Sequence, residues 1–157
     1  MGITIQQLAN EIISSGLARE SELIGCSEAE IVELEATFNL SLPETYRQWL
    51  KTMGRGAGHF LAGSDAFYPT VIENRKYAEE LLAETGQPFV LEPDAFVFLI
   101  HQGYQFLYFL THEGHPDPPV IYHLEGAEPE QRWTHLTDYY EQVLNDTRRA
   151  LEQLADR

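Results

Sequence analysis

The sequence predicts one domain in which helices and strands are segregated along the chain. Three observations carry that reading: helical periodicity fills the first half, two adjacent runs rich in aromatic and branched residues follow at 95–111, and a long amphipathic segment closes the chain. At 157 residues the length suits a single core that buries roughly two thirds of the surface its unfolded chain exposes. The expected organisation is a single domain over 1–157, with an N-terminal helix and link over 1–26 and a core over 27–154.

Thr4 is placed to cap a first helix in which Ile5, Leu8, Ile12 and Ile13 recur at helical spacing, with Gly16 beyond its end. After a polar link, Ser27-Glu28-Ala29-Glu30 fits a capping box, so a second helix starts near Glu28. Ile31, Leu34 and Phe38 form its buried stripe, and Tyr46, Trp49, Leu50 and Met53 form that of a third helix. Pro43 reads as the first residue of that third helix, where its missing N–H costs nothing, and Gly54 as a left-handed stop. Gly56, Gly58 and Gly63 then punctuate a loop running to Pro69. A polar helix is expected over 73–83, with Tyr77, Ala78, Leu81 and Leu82 inward and Gly86 as its stop.

The pattern then changes to strands. Residues 87–91 form a short candidate, followed by 95–101 and 104–111 joined at Gln102-Gly103, a dipeptide suited to a tight hairpin. Both longer runs are apolar at successive positions, as expected of a central pair covered on both faces. Val120 to Leu124 supplies another strand, and a polar turn around Gly126 leads to Trp133. The last helix carries Leu136, Tyr140, Val143, Leu144, Leu151 and Leu154 on one stripe, with Thr137 read as its cap and Asp138 at its positive end.

Charge is the most informative bulk property. Ten basic against 25 acidic residues give a net −15, and no Lys or Arg occurs from Tyr77 to Gln131, where ten acids supply −10 of it. A protein that displaces phosphate counterions needs cations across such a surface, so direct binding of nucleic acid or an anionic membrane is disfavoured and a basic protein partner is favoured. Acidity as a plain aid to solubility accounts for the same number equally well. Cys26 is the only cysteine and forms no intrachain disulfide, the N-terminus has no signal-peptide pattern, and no apolar run reaches membrane-spanning length. A soluble, cytoplasmic protein is the expectation.

The chemistry-bearing residues form no convincing catalytic or metal constellation. His112-Glu113-Gly114-His115 lacks the two further residues that place both imidazoles of a zinc-protease motif on one helical face, and Gly114 and Pro116 oppose a helix there. Solvated loop histidines are the reading, ahead of a loop site that draws on His101 or His123. Ser64, Asp65 and His59 permit a triad on paper, but Ser64 lacks the Gly-x-Ser-x-Gly elbow. The run Gly54-Arg55-Gly56-Ala57-Gly58 follows a helix and lacks a Gly-Lys-Ser/Thr ending, so it is no phosphate cradle. Phe96, Phe98, Phe106, Tyr108 and Phe109 read as core, not as a base-stacking platform. No cofactor is expected.

An ordered set of motifs resembles a known family. Ile-x-x-Leu-Glu-x-x-Phe at Ile31 to Phe38, Leu-Pro-x-x-Tyr-x-x-Trp-Leu at Leu42 to Leu50, the glycine-rich loop, the aromatic hairpin, Pro-Val-Ile-Tyr at Pro119 to Tyr122 and Trp-Thr-His-Leu-Thr-Asp-Tyr-Tyr at Trp133 to Tyr140 resemble the Smi/Knr type of the SUKH superfamily. The similarity spans about Ser27 to Thr147, and it departs from the family at Met53-Gly54-Arg55-Gly56, where an Asn-Gly-Gly type of turn is more usual. The resemblance implies a single-domain α+β fold, helices packed on a mixed or antiparallel sheet, and a non-enzymatic role. Bacterial relatives are largely immunity proteins that neutralise a cognate toxin, often a nuclease, and fungal relatives are regulatory scaffolds of cell-wall synthesis.

The expected function is therefore that of an immunity protein occluding a basic toxin domain. A regulatory or scaffolding module of the same fold is the alternative, and a small metal-dependent hydrolase using His112 and His115 a minor one. The carboxylates expected to meet the partner are Glu92, Asp94, Glu113, Asp117, Glu125 and Glu128, chosen because strand-end loops expose them.

Overall fold

Two capping boxes open the helical half. A computed structural model describes residues 2–87 and 90–155, and in it Thr4 and Gln7 cap α1 (Ile5–Ser14) while Ser27 and Glu30 cap α2 (Glu28–Phe38), each through reciprocal side-chain-to-backbone bonds. Between them lies β1 (Leu23–Ile24), and after α2 come α3 (Glu44–Met53), β2 (Gly56–Ala57), β3 (Ser64–Asp65) and α4 (Asn74–Glu84). The strand-rich half follows as β4 (Ala95–His101), β5 (Gln105–Leu110), β6 (Val120–Leu124) and β7 (Glu130–Trp133), and α5 (Leu136–Ala155) closes the described chain.

β3 to β7 form one sheet in chain order, every neighbouring pair antiparallel, while β1 and β2 form a separate antiparallel pair. This is an α+β domain with an antiparallel sheet. The apolar runs of β4 and β5 have the reason expected of them: both faces are covered. Phe96, Phe98, Leu99, Leu107 and Phe109 join the core built by α1, α2, α3 and α5, whereas Val97, Ile100, Phe106 and Tyr108 join a second cluster with Ala78, Leu81 and Leu82 of α4. The register passes from Val97↔Tyr108 to Leu99↔Leu107, so Phe98 is an extra bulged residue, and the bulge lets Phe98 and Leu99 both enter the larger core.

That core centres on aromatic rings from α3. Tyr46 lies 5.2 Å from Phe96 and 5.3 Å from Phe109, and Trp49 stacks on Tyr140 of α5 at 4.7 Å. Such contacts add to the burial of the rings themselves. α1 packs on α3 and α5, placing Ile5, Leu8 and Ile12 in the same core.

Several local expectations need correction. Pro43 is the N-cap, not the first helical residue: its fixed φ of −57° suits either, and its ψ of 146° leaves it extended. Gly54 ends α3 in a right-handed conformation (φ −63°), so its requirement is space: a Cβ would lie 2.7 Å from the Leu50 backbone and 2.8 Å from the Cys26 sulfur. The link before Ser27 and the glycine-rich loop pair with each other as β1 and β2. Part of the loop towards Pro69 is β3, and the polar approach to Trp133 is β7. Tyr77 is half exposed, its hydroxyl resting near Gly103, and Leu154 is exposed beyond the packed part of α5. Gln102 shares the left-handed region with Gly103, as mirror-image hairpin turns require. Of the strand expected at 87–91, Pro88 and Phe89 lie outside the described residues, and Gln87, Val90 and Leu91 belong to no strand.

Candidate partner-binding surface

Antiparallel order gives the sheet two ends. Residues preceding β4, following β5 and preceding β6 gather at one, while the β4–β5 and β6–β7 turns gather at the other. The seven residues of β4 separate the ends by about 20 Å. Glu92, Asp94, Glu113 and Asp117 fall at the first end and Glu125 and Glu128 at the second, so the six candidate carboxylates form two groups.

At the first end, two of the four hold the fold. The Asp94 carboxylate accepts the backbone N–H groups of Thr111 (2.9 Å) and His112 (2.8 Å) and lies 2.6 Å from the His112 Nδ1, clasping the start of β4 to the end of β5. Burial pushes the Asp94 pKa up, but hydrogen bonds from the His112 ring and the two N–H groups outweigh it and hold the carboxyl below its ordinary value. The hydrogen bond to Asp94 raises the His112 pKa and, with the charges of Asp94 and Glu113, outweighs the opposing desolvation.

Asp117 accepts the Thr137 N–H at 3.0 Å and the Thr137 hydroxyl at 2.6 Å. Thr137 is thus not the cap of α5 but its client, and Asp117 satisfies an orphan N–H from twenty residues away. The preceding carbonyl of Pro116 accepts the Thr45 N–H in the first turn of α3 (2.9 Å), so one loop secures the starts of two helices. Glu92 is half-buried with its carbonyl bonded to Arg75 (2.9 Å), and burial, with the charge of Glu92, pushes the Tyr108 phenol up to about 12. Glu113 is exposed and pairs with His115 at 2.6 Å.

The histidines of this loop stand in exposed carboxylate pairs. Among the described residues no three His, Cys, Asp or Glu side chains are grouped closely enough to hold a metal ion. At the second end Glu125 and Glu128 are exposed on the turn between β6 and β7, anchored by the Glu125 N–H donating to the Tyr104 carbonyl (2.8 Å).

Some acids of the helical half are paired: Arg47 with Glu28 and Glu35, Arg55 with Glu30, and Arg148 with Glu11. Among the described residues, arginine reaches acids of the strand-rich half only from its borders, Arg75 to Glu79 and Arg132 to Glu130. Net negative charge is nevertheless concentrated there, because 77–131 holds ten acids and no Lys or Arg, −10 of the −15 total.

A cleft of about 580 Å³, between α5 and the face of the sheet carrying Leu99 and Leu107, was not legible in sequence. The Ser64 hydroxyl and the His101 Nδ1 lie 3.0 Å apart at its margin. This pairing differs from the Ser64, His59 and Asp65 arrangement dismissed above, and among the described residues no carboxylate hydrogen-bonds to His101 to orient it as a catalytic base.

Against known proteins, the model of the SMI1 / KNR4 family (SUKH-1) matches residues 25–142, more than half of the chain. No curated protein matches it.

Proposed function

The chain belongs to the SMI1 / KNR4 family (SUKH-1), whose proteins bind partner proteins and include toxin immunity proteins, and from that membership we propose that it neutralises a cognate toxin by occluding a basic surface on it. The observation that carries the reading is the segregation of net negative charge into the half of the fold built from 77–131, which holds ten acids and no Lys or Arg. Complementary charge of this kind raises association rate and fixes orientation. Glu92, Glu113, Glu125 and Glu128 carry charge at or near the surface, and Asp94 and Asp117 add theirs at fixed positions between the elements they tie together.

Occlusion requires no catalytic group in this chain, in keeping with a non-enzymatic family. No described helix is long and apolar enough to cross a membrane. Co-expression with the toxin encoded beside the gene should protect the host cell, and the two purified proteins should form a stable complex whose association slows with added salt. Absence of both protection and complex refutes the proposal; a stable complex with housekeeping proteins instead marks a scaffolding module.

A further inference from the structure

We propose that the cleft between α5 and the sheet is the anchor site of this interaction, receiving a large apolar side chain from a basic segment of the toxin; this inference rests on the immunity reading. The cleft has the size of a ligand site, an apolar floor of Leu99 and Leu107, and aromatic walls from Tyr122 and Trp133. Its polar groups are pre-oriented. The Trp133 indole N–H can only donate, and it donates to Gln142 Oε1 at 2.9 Å, which turns the Gln142 amide NH2 elsewhere. The Tyr122 hydroxyl does the same to Gln105 Oε1 at 2.6 Å. Two amide donors therefore remain to meet carbonyl oxygens of an entering segment.

Charges at the cleft are already matched. Arg132 lies 3.8 Å over the Tyr122 ring and pairs with Glu130 at 2.5 Å, and Asp146 pairs with Arg149. An apolar side chain thus enters without stranding a charge. Basic flanking residues are matched by Glu125 and Glu128 on the turn joining β6 to β7, the strands that form the aromatic wall. On the opposite rim, Leu61 is buried at φ +58°, a conformation costly for a leucine, within a loop that also holds Gly58 and Gly63 left-handed. Strain of this kind clusters at binding sites because it fixes a rim before the ligand arrives.

The occupant is a protein segment and not another strand. β7 is a free edge, but the register with β6 shifts at Arg132, and a bulged, charged edge resists further pairing.

The test uses the C-terminal domain of the toxin encoded beside the gene. Ala150→Trp places a ring from the exposed side of α5 into the cleft without touching the core, and should weaken binding by about tenfold or more. Glu125→Lys with Glu128→Lys should slow association, while Glu33→Lys on α2 should leave the affinity unchanged. In the wild-type complex, amide exchange should be slowed at 105–107, 130–133 and 142–150. A wild type that binds while Ala150→Trp binds equally well, or protection confined to 92–94 and 111–117, overturns the cleft and leaves the immunity reading standing. A wild type that does not bind removes both. Should Ala150→Trp fail to fold, the exchange pattern of the wild type decides alone.

Discussion

Asp117→Ala separates a carboxylate that holds the fold from one that waits for a partner. The substitution removes two hydrogen bonds at the start of α5, to the Thr137 N–H and hydroxyl, and a negative charge at the positive end of a 20-residue helix. Loss of a capping side chain costs about 0.5–2 kcal/mol, and leaving the buried Thr137 groups without an acceptor puts this case near the upper figure, about 2 kcal/mol. For a domain of this size that lowers the melting temperature by about 4–8 °C. Removing one negative charge from a −15 protein acts the other way, so Glu125→Ala, which removes the same charge from an exposed turn, is the reference and should stay within about 0.5 kcal/mol of wild type. Thermal and urea unfolding followed by circular dichroism measure both. Equal melting temperatures for the two variants would refute the capping role and return Asp117 to the surface.

Other consequences follow from the same clasp and from the close contacts of α3. His112 has a raised pKa in the folded state, so its ion pair with Asp94 adds stability that is full below the ordinary histidine value of about 6.5 and fades as pH rises through the higher folded value. Asp94, held below its ordinary value, loses its share only as pH falls through that depressed value, so the pair contributes most between about pH 4 and 6.5. The stability gap between wild type and His112→Gln, from urea unfolding, should accordingly be larger at pH 5.5 than at pH 8; a constant gap refutes the pairing. Gly54→Ala should destabilise by about 1–3 kcal/mol by overpacking against the Leu50 backbone and Cys26, although a left-handed stop is not involved. Partial relief by Cys26→Ala in the double variant is the check, because the Cys26 sulfur is among the three atoms nearest the new methyl group.

The features legible in the sequence are those whose determinants lie close together along the chain. Both capping boxes join residues three apart, and the central hairpin advertises itself because each of its strands must be apolar on both faces. β1, β2 and β3 were hidden because each has two residues, too few for any period, and β7 because its edge position lets Glu130, Gln131 and Arg132 face water while the backbone alone does the pairing. The role of Asp117 was hidden by the twenty residues between it and Thr137, and the cleft by its assembly from the 59–64 loop, the strands and α5.

Charge shows the same limit more sharply, because a count of carboxylates treats all of them as available to a partner. Within the fold, Glu28, Glu30 and Glu35 are tied to arginines, Asp94 and Asp117 to backbone N–H groups, and Glu113 to a histidine, whereas Glu125 and Glu128 stand exposed on one turn. A carboxylate already engaged must give up its present partner before it can gain from a new one, so its net contribution to binding is small even when it is solvent-facing. The turn between β6 and β7 has no such cost to meet, and it adjoins the wall of the cleft; among the six acids, its two are therefore the pair through which charge can add most to association.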